Sequence, residues 1–127
     1  MVETGALLHD IGRAKTHGIR HAIEGAKTAE SLGLPKEVIH IIERHIGAGL
    51  SAEVAASLGL PKKDFIPVTL EEKIVCHADN LIEDCTRQPI EAEVERALLD
   101  GKKEYALQLI RLHHELSTIC GLDLNMI

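Results

Sequence analysis

The sequence predicts an all-α protein. Three observations carry that expectation: apolar residues recur at helical spacing along the chain, no stretch of strand length alternates, and Gly and Pro fall where helices must stop and start. The first helical piece runs from Val2 to about Ile11, with Gly12 as its stop, and a polar loop covers Arg13 to Gly18. The second runs from about Ile19 to Leu32. Gly33 then stands where a left-handed cap is needed, with Leu34 as its apolar partner and Pro35 opening the third helix, about Pro35 to Ile46. A fourth starts near Ser51 and ends at Gly59. The string Leu32-Gly33-Leu34-Pro35 returns as Leu58-Gly59-Leu60-Pro61, but the flanking residues diverge, so it reads as one helix-ending grammar used twice. After a connector, Lys62 to Val68, Thr69 and Glu72 make a capping box for a long helix, about Leu70 to Cys85. Pro89 opens a sixth helix to about Leu99, Asp100-Gly101 breaks it, and a seventh runs from Lys102 to Cys120. No linker interrupts the chain, and its 127 residues read as one domain.

Composition removes several function classes. Fourteen Lys+Arg against twenty Asp+Glu leave a formal charge of −6, which argues against non-specific nucleic-acid binding. Phe65 and Tyr105 are the only aromatic rings of the Phe, Tyr and Trp kind, too few for a base-stacking platform. No apolar run approaches the eighteen or so residues of a membrane span, and Met1-Val2-Glu3-Thr4 has no secretory character. The scattered cysteines, Cys76, Cys85 and Cys120, suit a reducing, cytoplasmic setting.

The eight histidines carry more information. His9-Asp10 lies between Ala6-Leu7-Leu8 and Ile11-Gly12, so the pair is expected to be at least partly buried, and a buried carboxylate needs a partner or a metal. On the helix from Leu70, Asp79 falls one turn after Val75 and one before Ile82, which places it on the apolar stripe. His77 shares a face with Lys73, Asn80 and Asp84 and reads as solvated. Val38, Ile41 and Ile42 lead by helical spacing to an inward His45, whereas His40 lines up with Lys36 and Arg44. Gly25, one turn beyond His21, would let another backbone or an ion approach closely. His113 and His114 diverge on their helix and read as structural or exposed. Imidazole and carboxylate together at His9, Asp10, His21, His45 and Asp79 suit a divalent transition metal such as Fe, Mn, Co, Ni or Zn.

These residues resemble the HD-domain superfamily of metal-dependent phosphohydrolases. The likeness runs through Ala6 to Arg13, His21 to Ala26, Arg44 to Gly47, Leu70 to Val75 and Ala78 to Leu81, roughly two thirds of the chain. The later histidines are similar to the subgroup with a two-metal centre, closest to the hydrolases of dinucleoside polyphosphates. The resemblance implies a helical bundle with a core at about 1–85 and appended helices at about 89–121. It implies that His9 and Asp79 hold one metal, that Asp10 bridges, and that His21 and His45 hold a second. Arg13 and Lys15 are the candidates for gripping phosphate. The expected activity is hydrolysis of a nucleotide phosphoester or phosphoanhydride. A weakened metal- or nucleotide-binding module and a di-iron oxygenase are the alternatives. The family pattern opens with a further metal-binding His on an upstream helix, and none of the eight residues before His9 is His. A bundle short of that helix should leave apolar stripes open on the second helix and on the helix from Leu70, favouring a homo-oligomer.

Overall fold

A computed structural model describes all 127 residues. The chain is all-α apart from one two-residue hairpin, and it divides into two compact units, Met1–Cys76 and His77–Ile127.

The first unit holds α1 (Val2–Leu8), a 3-10 turn (Ile11–Ala14), α2 (His21–Ser31), α3 (Lys36–Glu43), α4 (Ala52–Ser57) and the greater part of α5 (Leu70–Asn80). Helices α2 and α3 pack on one another around Ala29, Val38 and Ile42, with Leu8, Ile11, Leu34 and Ile39 closing the cluster. A second cluster joins Ile23, Ala55, Leu60 and Phe65, and Leu50 and Phe65 exchange backbone hydrogen bonds of 3.1 and 2.7 Å. The repeated Leu-Gly-Leu-Pro string is the shared helix ending that the sequence suggests. Gly33 and Gly59 have φ of 72° and 80°. In both, the following Leu N–H reaches back five residues, Leu34 to Ala29 O at 3.1 Å and Leu60 to Ala55 O at 2.9 Å. The apolar stripe expected to stand open on the second helix is covered: Ala22, Ile23, Ala26 and Ala29 are all buried. On α5, Leu70 and Ile74 are exposed.

The second unit holds the end of α5, β1 (Ile82–Glu83), β2 (Thr86–Arg87), α6 (Ile90–Leu99), α7 (Lys103–Cys120) and a 3-10 turn (Leu124–Met126). Its core lies between α6 and α7, from Ile90 and Ala97 on one side and Ala106, Leu109, Leu112 and Leu116 on the other. Here the structure corrects the sequence reading, which carries the long helix to Cys85. It ends at Asn80, because Asp84 and Cys85 both take left-handed backbone, with φ of 46° and 66°. That is the conformation of a two-residue hairpin turn, and it pairs Ile82 with Arg87 and Glu83 with Thr86.

The inward side of α5 is also displaced from the expected stripe. Asp79 is exposed, whereas Glu72, Val75, Cys76, His77 and Asn80 are buried. Three of those five are polar. Glu72 and His77 have side-chain partners that apolar patterning does not register: Arg44 and Thr69 meet Glu72, and His113 meets His77. The backbone carbonyl of Asn80 accepts from the Gln88 side-chain amide. His77 is therefore not solvated. Burial, followed by the neighbouring His113, pushes its pKa down to about 4. No helix is long and apolar enough to cross a membrane.

Candidate metal centre

Three imidazoles of the first unit converge on one carboxylate, that of Asp10. Asp10 follows α1 and opens the 3-10 turn, and His9 is the residue that ends α1. His21 is the first residue of α2. His45 lies just past α3, whose cap at Arg44 has φ −108° and ψ 21°, rather than inside a helix reaching Ile46. It is buried as helical spacing predicts, but by a turn rather than by the helix.

Backbone packing sets the approach of these pieces. A Cβ on Gly12 would lie 1.8 Å from His21 O and 2.6 Å from Gly25 N, so the 3-10 turn rests directly on the first turn of α2. The missing side chain at Gly25 admits that backbone, as its position on the second helix suggests: a Cβ there would lie 3.1 Å from Gly12 N. The segment that carries His45 is pinned on both sides. Arg44 Nη1 donates to Glu72 Oε1 at 2.7 Å, and the Cys76 thiol donates to Gly47 O at 3.1 Å.

The protonation pattern follows from the partners. Nδ1 of His9 lies 2.7 Å from Ala6 O, Nδ1 of His21 lies 2.9 Å from Gly18 O, and Nδ1 of His45 lies 2.6 Å from Ile42 O. A carbonyl oxygen only accepts, so each Nδ1 carries the proton, and in a neutral ring each Nε2 is then a lone pair. Those nitrogens face Asp10. His9 Nε2 is 3.5 Å from Oδ2, while His21 Nε2 and His45 Nε2 are 3.2 and 3.4 Å from Oδ1. One donor atom from each of His9, Asp10 and His45 falls within 4.8 Å of the others. His21 Nε2 lies 2.9 Å from His45 Nε2.

Such a set of acceptors is stable only around positive charge. The hydrogen bond with His45 is the main reason the Asp10 carboxyl sits far below its ordinary range, against the opposing effect of burial. Charge on His9, His45 and Arg13 acts in the same direction. The His21 pKa is lowered, first by burial and then by the charges of His45 and Arg13, although the Gly18 carbonyl and Asp10 oppose the shift. A divalent ion fits the same donors. Three imidazoles held through Nδ1 by backbone carbonyls are oriented as metal ligands are.

The other expected site residues are placed differently. Arg13 turns back on the carboxylate, its Nε 3.3 Å from Asp10 Oδ1 and its Nη1 donating to His17 O at 3.2 Å. Lys15 is exposed on the same turn. Asp79 belongs to the second unit and is exposed. Glu72 positions the segment through Arg44, and its only sequence signal is the capping box three residues after Thr69. His77 and His113, which helical spacing leaves outside any site, are paired by the structure.

The HD domain family matches residues 1–84. The chain is 46% identical over 125 residues to the tRNA (cytidine(56)-2'-O)-methyltransferase of Picrophilus torridus, which covers 98% of this chain and 37% of that protein. It is 52% identical over 96 residues to an uncharacterized protein of Methanocaldococcus jannaschii, covering 76% of this chain and 57% of that one. A shorter stretch of 47 residues is 47% identical to ribonuclease Y of Acidothermus cellulolyticus, 35% of this chain and 10% of that enzyme. The chain thus spans under two fifths of the length of the methyltransferase and little more than half of the Methanocaldococcus protein. No solved structure matches. With a family match across the segment that carries His9, Asp10, His21 and His45, the chain belongs to the HD domain family.

Proposed function

We propose that this chain is a metal-dependent phosphohydrolase module that cleaves a phosphoester or phosphoanhydride bond of a nucleotide. The observation that carries the reading is the convergence of three imidazole lone pairs on the Asp10 carboxylate, a donor set that calls for a divalent transition ion of the Fe, Mn, Co, Ni or Zn kind. His9, Asp10, His21 and His45 would hold one or two ions. Bound there, the metal would make a water nucleophilic near neutral pH and neutralise charge on phosphate oxygens.

The residues of the chain do the rest. The backbone carbonyls of Ala6, Gly18 and Ile42 keep each ring's proton on Nδ1. Arg13, anchored on Asp10, has guanidinium donors to offer a phosphate, and Lys15 adds a mobile positive charge from the same turn. The names of two relatives concern RNA, one a tRNA methyltransferase and one a ribonuclease, which favours a nucleotide at an RNA end over a free dinucleotide. A formal charge of −6 suits recognition of one terminal phosphate rather than a long backbone.

The likeness of nearly this whole chain to a 37% part of a tRNA methyltransferase supports a second reading, in which the module binds RNA within a methylating protein and does not cleave it. One experiment separates the two. The purified chain is incubated with each candidate metal and a panel of mononucleotides, dinucleoside polyphosphates and short RNAs with 3'- and cyclic phosphate ends. Phosphate or nucleotide release that disappears in Asp10→Ala supports the hydrolase. Metal-dependent RNA binding with no release from any substrate overturns it and favours the second reading.

A further inference from the structure

Two pairs of imidazoles in this chain have nearly the same geometry. In the first unit, the facing nitrogens of His21 and His45 are 2.9 Å apart, with ring centroids at 4.9 Å and planes at 57°. In the second unit, His77 Nε2 and His113 Nδ1 are 2.8 Å apart, with centroids at 5.0 Å and planes at 60°. We propose that His77 and His113 form a further transition-metal site, which takes a nitrogen-preferring divalent ion such as Cu, Zn or Co through His77 Nε2 and His113 Nδ1.

The far side of His113 is built as a metal ligand's is. Its Nε2 lies 2.7 Å from Asp123 Oδ1. A carboxylate only accepts, so that nitrogen carries the proton and Nδ1 presents a lone pair to His77. A carboxylate behind an imidazole fixes its tautomer and strengthens the donor on the other side. Asp123 is itself steadied by the Asn125 N–H at 2.9 Å, where the last 3-10 turn begins.

The near side is His77, 1% exposed, whose Nδ1 is buried and has no hydrogen-bond partner. His9, His21 and His45 each have Nδ1 held by a carbonyl, whereas no acceptor holds a proton on His77 Nδ1, and its proton sits on Nε2 facing the His113 lone pair. In the metal-free chain that proton lies between the two rings. An ion that takes its place requires only that the proton move to Nδ1. Metal–nitrogen bonds of about 2.0–2.1 Å put two ligand nitrogens roughly 3.3 Å apart, so the pair must open by about half an ångström. His113, with His114 and Asp123, lines a cavity of about 730 Å³, so this ring is reached from solvent on its Asp123 side. A donor set of imidazoles without a directly bound carboxylate suits Cu, Ni and Zn over Mg or Ca.

The test uses the full chain with Asp10→Ala, which removes the carboxylate of the first cluster at a side chain 44% exposed; substitutions in the second unit then separate the His77–His113 pair from the remaining imidazoles of His9, His21 and His45. Cu(II) and Co(II) are titrated into that variant. The expected result is about one equivalent bound, with imidazole nitrogen couplings in the Cu(II) electron paramagnetic resonance spectrum. Adding His113→Gln should weaken binding at least tenfold. Adding Asp123→Asn, at a side chain 57% exposed, should weaken it about tenfold through the ligand behind it. Failure of the Asp10→Ala chain to bind a stoichiometric ion would overturn the proposal. So would equal affinity with either second substitution in a chain whose circular dichroism is unchanged.

Discussion

Nε2 of His21 and Nε2 of His45 face each other at 2.9 Å, although both rings already donate from Nδ1 to backbone carbonyls. Two lone pairs at that separation repel unless a cation lies between or beside them. A metal ion should therefore stabilise the native state by mass action, by about 2.7 kcal/mol at one hundred times its dissociation constant. Thermal melts in chelator and in each of Mn, Fe, Co, Ni and Zn check this. An unchanged midpoint with every ion would contradict the cluster's role.

Asp10 receives Arg13, His21 and His45 on one oxygen and faces His9 with the other, whereas His21 contributes a single nitrogen. Asp10→Ala is expected to cost more activity than His21→Ala. It should exceed the roughly 10–100-fold that loss of an outer-shell partner costs. Phosphate release with the metal saturating measures both. Equal losses would remove the case for Asp10 as the central ligand.

Gly12→Ala places a methyl group 1.8 Å from His21 O, a distance that only backbone movement relieves. The expected cost is about 3 kcal/mol or more, with metal affinity falling in parallel because His21 moves with its carbonyl. Gly33→Ala is the control. It meets nothing within 4 Å and strains only a φ of 72°, so about 1 kcal/mol is expected and metal binding should not change. Urea unfolding and a metal titration on each variant give both quantities.

Glu72 is buried, and burial pushes its pKa up. The Arg44 ion pair, the Val68 N–H and the Thr69 hydroxyl outweigh that and hold the carboxyl below its ordinary 4.5. The folded chain thus binds this proton more weakly than the unfolded chain does. The stabilisation is complete above about pH 4.5 and is lost as pH falls through the folded value. Glu72→Gln should cost roughly 3 kcal/mol at pH 7, since it leaves Arg44 unpaired. The gap to the unmodified chain should narrow steadily toward pH 3. A gap constant across that range would show that the carboxylate charge contributes nothing.

Much of this architecture is written locally. Gly33 and Gly59 end helices because only a residue without a Cβ takes that backbone cheaply, and the Leu after each completes the cap. The order His9-Asp10, His21, His45 and the small residue at Gly25 are likewise readable, since each follows from spacing along one helix or from a short motif. The end of α5 was not. Helical periodicity runs on to Cys85, and only the pairing of Ile82 with Arg87 selects a left-handed turn at Asp84 and Cys85.

The tertiary structure alone decides which polar residues face inward. On α5 a wheel of apolar positions points Asp79 in and His77 out, and the fold does the reverse. Burial of a polar group depends on a partner distant in the chain: Arg44 is 28 residues from Glu72, and His113 is 36 from His77. An apolar side chain needs only to leave water, so its placement follows from spacing. A polar one needs a specific acceptor or donor at about 3 Å, and that is decided only when the elements meet.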